Sequence, residues 1–403
     1  MKYLKVFLTF SIVLFAGFPV LIGLLLMLLS QFIGTDWIII SAFLIFVVTL
    51  ALFLIGLLWR RRAWKLYTAF LLISMLVLPL TYGGIQFSKQ LSESKKMPEV
   101  EVDLSLYDPF KEPSKLAELD EPCMLRLIDD LPIIDGSTAL YPVYSAFARA
   151  VYPKRDYIRH DGNYSYFVVN ELRAQLKDNP VACAGTARAV FGITEKITDI
   201  AFVPMPSMEQ QRSAEEIDAD WNFIPIGRDA FVFFVNEKNK VNNLTTQQLQ
   251  DIYAGKITNW KEVGGSNEEI LAYQRAEFSG SQNAFLNFMK GVDLATPPQD
   301  RFVGGMGGII HKTADFKNSK SALGYSFRYY ATEMNKNNKI KLLSIDGIYP
   351  SVETIKSGEY PFGGDFYAMT RGEPTGNSKL LIEWILSPQG QELIKKTGYV
   401  PVK

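Results

Sequence analysis

No charged residue falls between Lys5 and Asp36, between Asp36 and Arg60, or between Lys65 and Lys89. A helix crosses the hydrocarbon core of a bilayer with about 20 apolar residues, so each gap is long enough for one span. The pattern predicts spans near residues 7–33, 37–59 and 66–87, a three-helix transmembrane anchor over residues 1–90. The first stretch is longer than a crossing requires, which a tilt accommodates. Its length, and the lack of an A-x-A site after it, argue against a cleaved signal peptide. Arg60, Arg61, Arg62 and Lys65 sit in the short loop between the second and third stretches. The positive-inside rule places that loop in the cytoplasm, together with Lys2, Lys5 and the N-terminus, and everything after Lys89 outside. Trp37, Trp59, Trp64 and Tyr82 lie near the ends, where interfacial aromatics are enriched. No ionisable residue lies inside a span, so the pattern describes an anchor and not a transport path.

The chain has 403 residues with 42 basic and 42 acidic side chains. Seven basic residues and one acid precede residue 91, so the remainder is mildly acidic, 35 basic against 41 acidic. A nucleic-acid binder needs a basic face, and that class is excluded. The two cysteines, Cys123 and Cys183, are compatible with one disulfide or with two buried thiols. The two histidines, His160 and His311, are far apart and no CxxC is present, so neither a metal site nor any cofactor is expected. Residues 91–122 are charged and carry Pro98, Pro109, Pro113 and Pro122, the composition of an extended linker. Within it Val100, Val102, Leu104 and Leu106 alternate with polar residues, which predicts a short strand lying on the next domain.

Residues 123–403 read as α/β. Short apolar runs end in Gly/Ser/Thr turns that precede helical patterns. Ile133-Ile134 lead into Gly136-Ser137-Thr138, followed by Leu140, Val143, Phe147 and Val151 on one helix face. Gly185-Thr186 precedes a second helix, and GGMGG at 304–308 reads as a turn before a helix ending near Phe316. The most telling stretch runs from Gln274 to Met289. Arg275 brings a permanent charge with a planar fork of donors. Ser279-Gly280-Ser281 brings hydroxyls and exposed N–H groups at the start of a helix that buries Phe285, Phe288 and Met289. Each turn alone is an ordinary strand-to-helix connection, and Ser279 or Ser281 alone is an ordinary helix cap. Their repetition beside Arg275 points to an anion site at the carboxyl ends of the strands. Thr245 with Gln248 predicts a capping box, Phe231–Val235 a buried strand that crosses between lobes, and Ser387-Pro388 the start of a last helix ended by Gly398. Ser92-x-x-Lys95 and Lys396-Thr397-Gly398 have penicillin-binding-protein spacing, but Ser92 lies in the linker and no Ser-Asp-Asn is present, so no enzyme is expected.

From about Leu127 onward the chain resembles the phosphate-binding protein of the phosphate ABC transporter, a type II periplasmic-binding-protein fold. GSTALYPVYSAFA from Gly136, Arg275-x-x-x-Ser279-Gly280-Ser281, DIAFVPMP from Asp199, KITNW from Lys256, ALGYSF from Ala322 and the terminal SPQGQELIKKTGYVP carry the resemblance. It implies a two-lobed Venus-flytrap domain, one lobe over 123–230 and 363–403 and the other over 231–362. It implies ligand contacts from Ser137, Thr138, Thr186, Arg275, Ser279, Gly280 and Ser281. The implied function is capture of phosphate or a similar oxyanion for ABC permease subunits by a multi-pass membrane protein. A ligand-sensing receptor subunit using the same domain is the alternative. The chain departs from the family where phosphate-binding members carry a proton-accepting aspartate, which here is Pro204. Asp135, Glu277 and Asp365 are the carboxylates considered for that task, and Arg188 is either a site charge or a surface residue.

Overall fold

The computed structural model describes residues 102–157, 169–275, 277, 279–296, 298, 301–315 and 319–402. The three apolar stretches, the first part of the linker, and His160 and Phe316 lie outside them. Among the described residues no helix is long and apolar enough to cross a membrane. Residues 98–403 form one compact unit.

Its centre is a mixed eight-stranded sheet. Among the described residues the strands of the domain, eight in this sheet and four outside it, are β1 (Ile134–Gly136), β2 (Ile200–Pro204), β3 (Trp221–Asn236), β4 (Asn243–Leu244), β5 (Leu271–Ala272), β6 (Gln274–Arg275), β7 (Phe302–Val303), β8 (Ala322–Phe327), β9 (Ile340–Leu342), β10 (Ser344–Ile345), β11 (Gly363–Arg371) and β12 (Val400–Pro401). The main path runs β1-β2-β11-β3-β8-β5, with β9 and β12 also paired to β3, while β4/β10 and β6/β7 are separate parallel pairs. β3 is the long member, and it changes partners midway. Its first part pairs antiparallel with β11 and β12, and from Phe231 it pairs with β8 and β9. Phe231–Val235 is therefore a buried strand on which two halves of the sheet meet, as its unbroken apolar run predicts. Gly227 admits the Phe366 ring over the strand, since a Cβ there would lie 2.4 Å from the ring, and the β3–β11 register shifts beside it.

The helices are α1 (Tyr141–Val151), α2 (Val169–Asp178), α3 (Thr186–Thr194), α4 (Met208–Glu216), α5 (Thr246–Tyr253), α6 (Gly280–Phe288), α7 (Met306–Asp315), α8 (Val352–Ser357), α9 (Gly376–Ile385) and α10 (Pro388–Thr397). Local chemistry sets several of their ends. Thr245 and Gln248 form the expected capping box on α5, and Pro388 and the left-handed Gly398 bound α10. Phe285, Phe288 and Met289 are buried as the α6 pattern requires. Two expectations are corrected. Val100 lies outside the described residues, and the described part of the expected strand, Val102–Leu106, is not one: Leu104–Tyr107 is a 3-10 turn whose first N–H groups include Ser105 N, donated to Asp103 Oδ1 at 3.0 Å. It buries Tyr107 and packs Leu104 and Leu106 against the core, so a helical turn serves the apolar residues that suggested a strand. The GGMGG stretch is only partly a turn, because α7 begins at Met306 and takes in Gly307 and Gly308. A Cβ on Gly308 would lie 2.5 Å from Val303 Cγ1, so close helix–strand packing needs that glycine.

Asp229 sits where β3 changes partners. Its carboxylate accepts the Ala230 N–H at 2.8 Å and is approached by the Tyr329 N–H at 3.4 Å. Burial pushes its pKa from 3.8 up to about 7, against those two N–H groups and Arg328. The folded chain thus holds this proton more tightly than the unfolded chain does. The associated stability is complete at acid pH and is lost as pH rises from about 4 through about 7. The melting temperature of the protein is expected to fall between pH 5 and pH 8, and Asp229→Asn to flatten that fall. An unchanged slope in the variant would refute this role.

Candidate functional site

The strand ends deliver several helix starts to one cavity of about 220 Å³. That is smaller than the pockets that hold drug-sized ligands. β1 leads into Ser137, whose N–H donates to Phe202 O on β2 at 2.9 Å, and then into a 3-10 turn at Thr138–Leu140 that continues as α1. Gly185 opens α3 with φ +86°, a left-handed conformation that favours glycine; no atom lies within 4 Å of a Cβ there, so backbone geometry and not space sets the residue. α6 begins at Gly280 and α7 at Met306. Ser137, Thr138, Thr186, Arg275, Ser279, Gly280 and Ser281 all line this cavity, so the structure brings these seven residues together. The first N–H groups of a helix have no intrahelical acceptor and carry the positive end of its dipole. Several such starts around one cavity make a set of donors for an anion.

The seven residues are not equivalent. Ser279 is the N-cap of α6, its hydroxyl accepting the Gln282 N–H at 3.3 Å, so it also serves the local role that its residue type suggested. Ser281 is buried, and its hydroxyl oxygen has no hydrogen-bond partner among the described residues. Buried polar atoms are normally satisfied, so an unpartnered hydroxyl at a cavity wall is suited to a ligand. Arg275 is 7% exposed. Its main-chain N–H donates to Gln282 Oε1 and Tyr325 Oη, each at 3.0 Å, and the Tyr325 hydroxyl itself donates to Gln282. Tyr325 stacks on Phe285 with ring centroids 4.7 Å apart, and burial raises its pKa, so it stays a neutral phenol. Gln282 and Tyr325 thus fix the backbone that carries the guanidinium. Neither role is legible in the sequence, because Tyr325 lies 50 residues from Arg275 and its phenol role depends on the fold.

Arg188 lines the cavity and is exposed, which places it at the mouth. Glu277 also lines it and is exposed. Of the other two carboxylates considered, Asp365 is paired with Arg228 at 2.9 Å and Asp135 is buried; neither lines the cavity. Pro204 ends β2 and lies near the same place: a Cβ on Gly280 would stand 3.2 Å from Pro204 Cγ and 2.7 Å from Thr186 Oγ1. Proline offers no proton acceptor there. Cys123 and Cys183 are free thiols, and burial pushes Cys183 up to about 12, so it is not a thiolate at neutral pH. No group of three potential metal ligands occurs among the described residues.

Residues 134–389 match the PBP superfamily domain. The phosphate-binding protein PstS of Bacillus subtilis is 31% identical over 233 residues, covering 56% of this chain and 74% of that protein. The phosphate-binding protein PstS of Borreliella burgdorferi is 26% identical over 226 residues, covering 54% of this chain and 78% of that protein. Among solved structures, a Clostridium perfringens substrate-binding protein assigned to a phosphate ABC transporter, with phosphate bound, superposes with a TM-score of 0.50 at 24% identity, over 67% of this chain and 98% of that one. It shares the fold.

Proposed function

We propose that this chain, which belongs to the PBP superfamily and within it to the family of the phosphate-binding proteins PstS, captures phosphate or a closely similar oxyanion and delivers it to an ABC permease. The observation that carries this reading is the buried Arg275 beside helix starts that bring Ser137, Thr138, Thr186, Gly280 and Ser281 to one small cavity. A fixed cation and preoriented N–H and O–H donors favour a compact anion with several acceptor oxygens. The B. subtilis and B. burgdorferi relatives are named as phosphate-binding proteins, which supports phosphate as the first ligand to test.

The capture step is closure of two lobes, residues 123–230 with 363–403 and residues 231–362. The change of β3 partners after Ala230 and the start of β11 at Gly363 support hinges at those two crossings. The charge-free stretches of residues 1–90 support a multi-pass anchor with the N-terminus inside and the binding domain on the extracytoplasmic face. Isothermal titration of the purified full-length protein with phosphate tests the ligand: saturable heat at one site per chain is expected, and no heat with phosphate, arsenate or sulfate would overturn the reading. Arg188, exposed at the mouth, is expected to matter far less than the buried arginine. Arg188→Ala should weaken binding by less than about 1 kcal/mol, as for an exposed ion pair, and the deficit should shrink with added salt.

A further inference from the structure

Asp135 occupies the strand position just before the first cavity loop. It is 4% exposed and does not line the cavity. A single oxygen, Oδ1, accepts the Gly136 N–H at 2.7 Å and the Ala184 N–H at 2.8 Å. Gly136 leads directly into Ser137-Thr138, and Ala184 directly into Gly185-Thr186. One carboxylate oxygen therefore holds the main chains of two cavity loops, its own and that of Ala184, 49 residues further along the chain. The first of these loops has little room to adjust: a Cβ on Gly136 would lie 2.6 Å from both Phe202 O and the Tyr144 ring.

We propose that Asp135 is a positioning residue whose carboxylate clasps the Ser137-Thr138 loop to the Gly185-Thr186 loop, so that both present their donors to the same anion. The proposal rests on the oxyanion reading of the cavity but makes a claim about loop geometry that stands apart from it. An ionised carboxylate is a stronger acceptor for N–H groups than a protonated one, so the clasp is tightest when Asp135 is charged. Burial pushes its pKa from 3.8 up to about 6, opposed by the two N–H bonds and by Arg188. The charged and titratable groups facing it are Arg188 from α3, Tyr144 from α1 and Cys183 from the second loop. Tyr144 and Cys183 are held neutral by burial. Among these groups Asp135 is the one that changes charge between pH 5 and pH 8. The clasp is therefore strong above about pH 6 and weakens below it.

Asp135→Asn keeps the shape and an acceptor oxygen but never carries the charge. Hydrogen exchange followed by mass spectrometry on the ligand-free full-length chain reads the loops directly. At pH 8 the variant is expected to exchange several-fold faster than the wild type in peptides over 134–140 and over 182–188 together, with the difference vanishing at pH 5. A change confined to 134–140, or the same difference at both pH values, would overturn the clasp. Titration with inorganic phosphate supplies a second readout. The ratio of wild-type to variant affinity cancels the titration of phosphate itself; it is expected to be about five- to tenfold at pH 8 and to approach one at pH 5, whereas a flat ratio contradicts the proposal. If the wild type binds no phosphate at any pH, the oxyanion reading fails while the exchange data still judge the clasp. If the variant does not fold, the wild type serves alone: protection of both loop peptides must drop below about pH 6 relative to a peptide over 246–253, and constant protection refutes the clasp.

Discussion

Arg275→Ala is expected to weaken oxyanion binding by about 10²- to 10⁴-fold, the largest effect of any single substitution in this site. Removing one partner of a buried charge pair costs about 3–5 kcal/mol, because the remaining charge is left in a poorly solvated place. Arg275 meets the conditions for that cost. It is 7% exposed, and its backbone is held by Gln282 and Tyr325, so little ordering remains to be done when the anion arrives. Arg275→Lys keeps the charge but loses the planar fork, and is expected to recover only part of the affinity. Calorimetric titration of each variant checks this, with thermal melting to establish that the variant is folded. A loss no greater than that of Arg188→Ala would mean that the buried charge is not the anion's partner.

Gly280→Val is expected to reduce affinity by about tenfold to a hundredfold through a different route. A Cβ at position 280 would stand 2.7 Å from Thr186 Oγ1, 3.2 Å from Pro204 Cγ and 3.6 Å from Phe327 Cε2. Thr186 and Pro204 belong to one proposed lobe and Gly280 to the other, so the added side chain wedges the walls apart where they meet. Overpacking of this kind costs about 1–3 kcal/mol, and here it falls on the closed form that holds the ligand. Gly280→Ala should give an intermediate loss, because its single methyl already violates the 2.7 Å contact. Both variants should weaken phosphate and arsenate alike, since the wedge acts on closure and not on anion chemistry. Wild-type affinity in Gly280→Val would show that the walls need not approach so closely.

Local signals in the sequence carried much of the site. A Gly/Ser/Thr turn between an apolar run and a helical pattern is set by chain geometry at that point, so Ser137, Thr138, Thr186 and Ser279–Ser281 were legible without a structure, and they line a single cavity. The unbroken apolar run at Phe231–Val235 likewise marked the strand on which the two halves of the sheet meet. What escaped depends on distant packing. Leu104 and Leu106 fit an alternating pattern over too few residues to separate a strand from a 3-10 turn, and Asp103 favours the turn. Gly307 and Gly308 looked like turn residues, yet Gly308 sits in a helix because Val303 lies against it. The contacts of Gln282 with Tyr325 and the Arg275 backbone exist only when β8 and α6 are packed together. Arg188 read as either a site charge or a surface residue, and it is both exposed and part of the cavity lining.

Pro204 has a consequence for selectivity. Among the described residues lining the cavity, the carboxylate is Glu277, which is exposed on the turn before Ser279. A carboxylate accepts a hydrogen bond from a protonated oxyanion, whereas sulfate has no proton to give and is repelled. Competition between phosphate and sulfate in the wild type and in Glu277→Gln therefore reports whether that turn supplies the acceptor that Pro204 cannot.

Crystals of the protein grown with arsenate locate the anion, because anomalous scattering from arsenic marks its position independently of the protein coordinates. One strong peak per chain is expected within hydrogen-bonding reach of the Arg275 guanidinium and the Ser281 hydroxyl, bordered by the Thr138 and Thr186 turns. A fully occupied arsenate elsewhere, or no peak in this cavity at concentrations that saturate binding in solution, would contradict it.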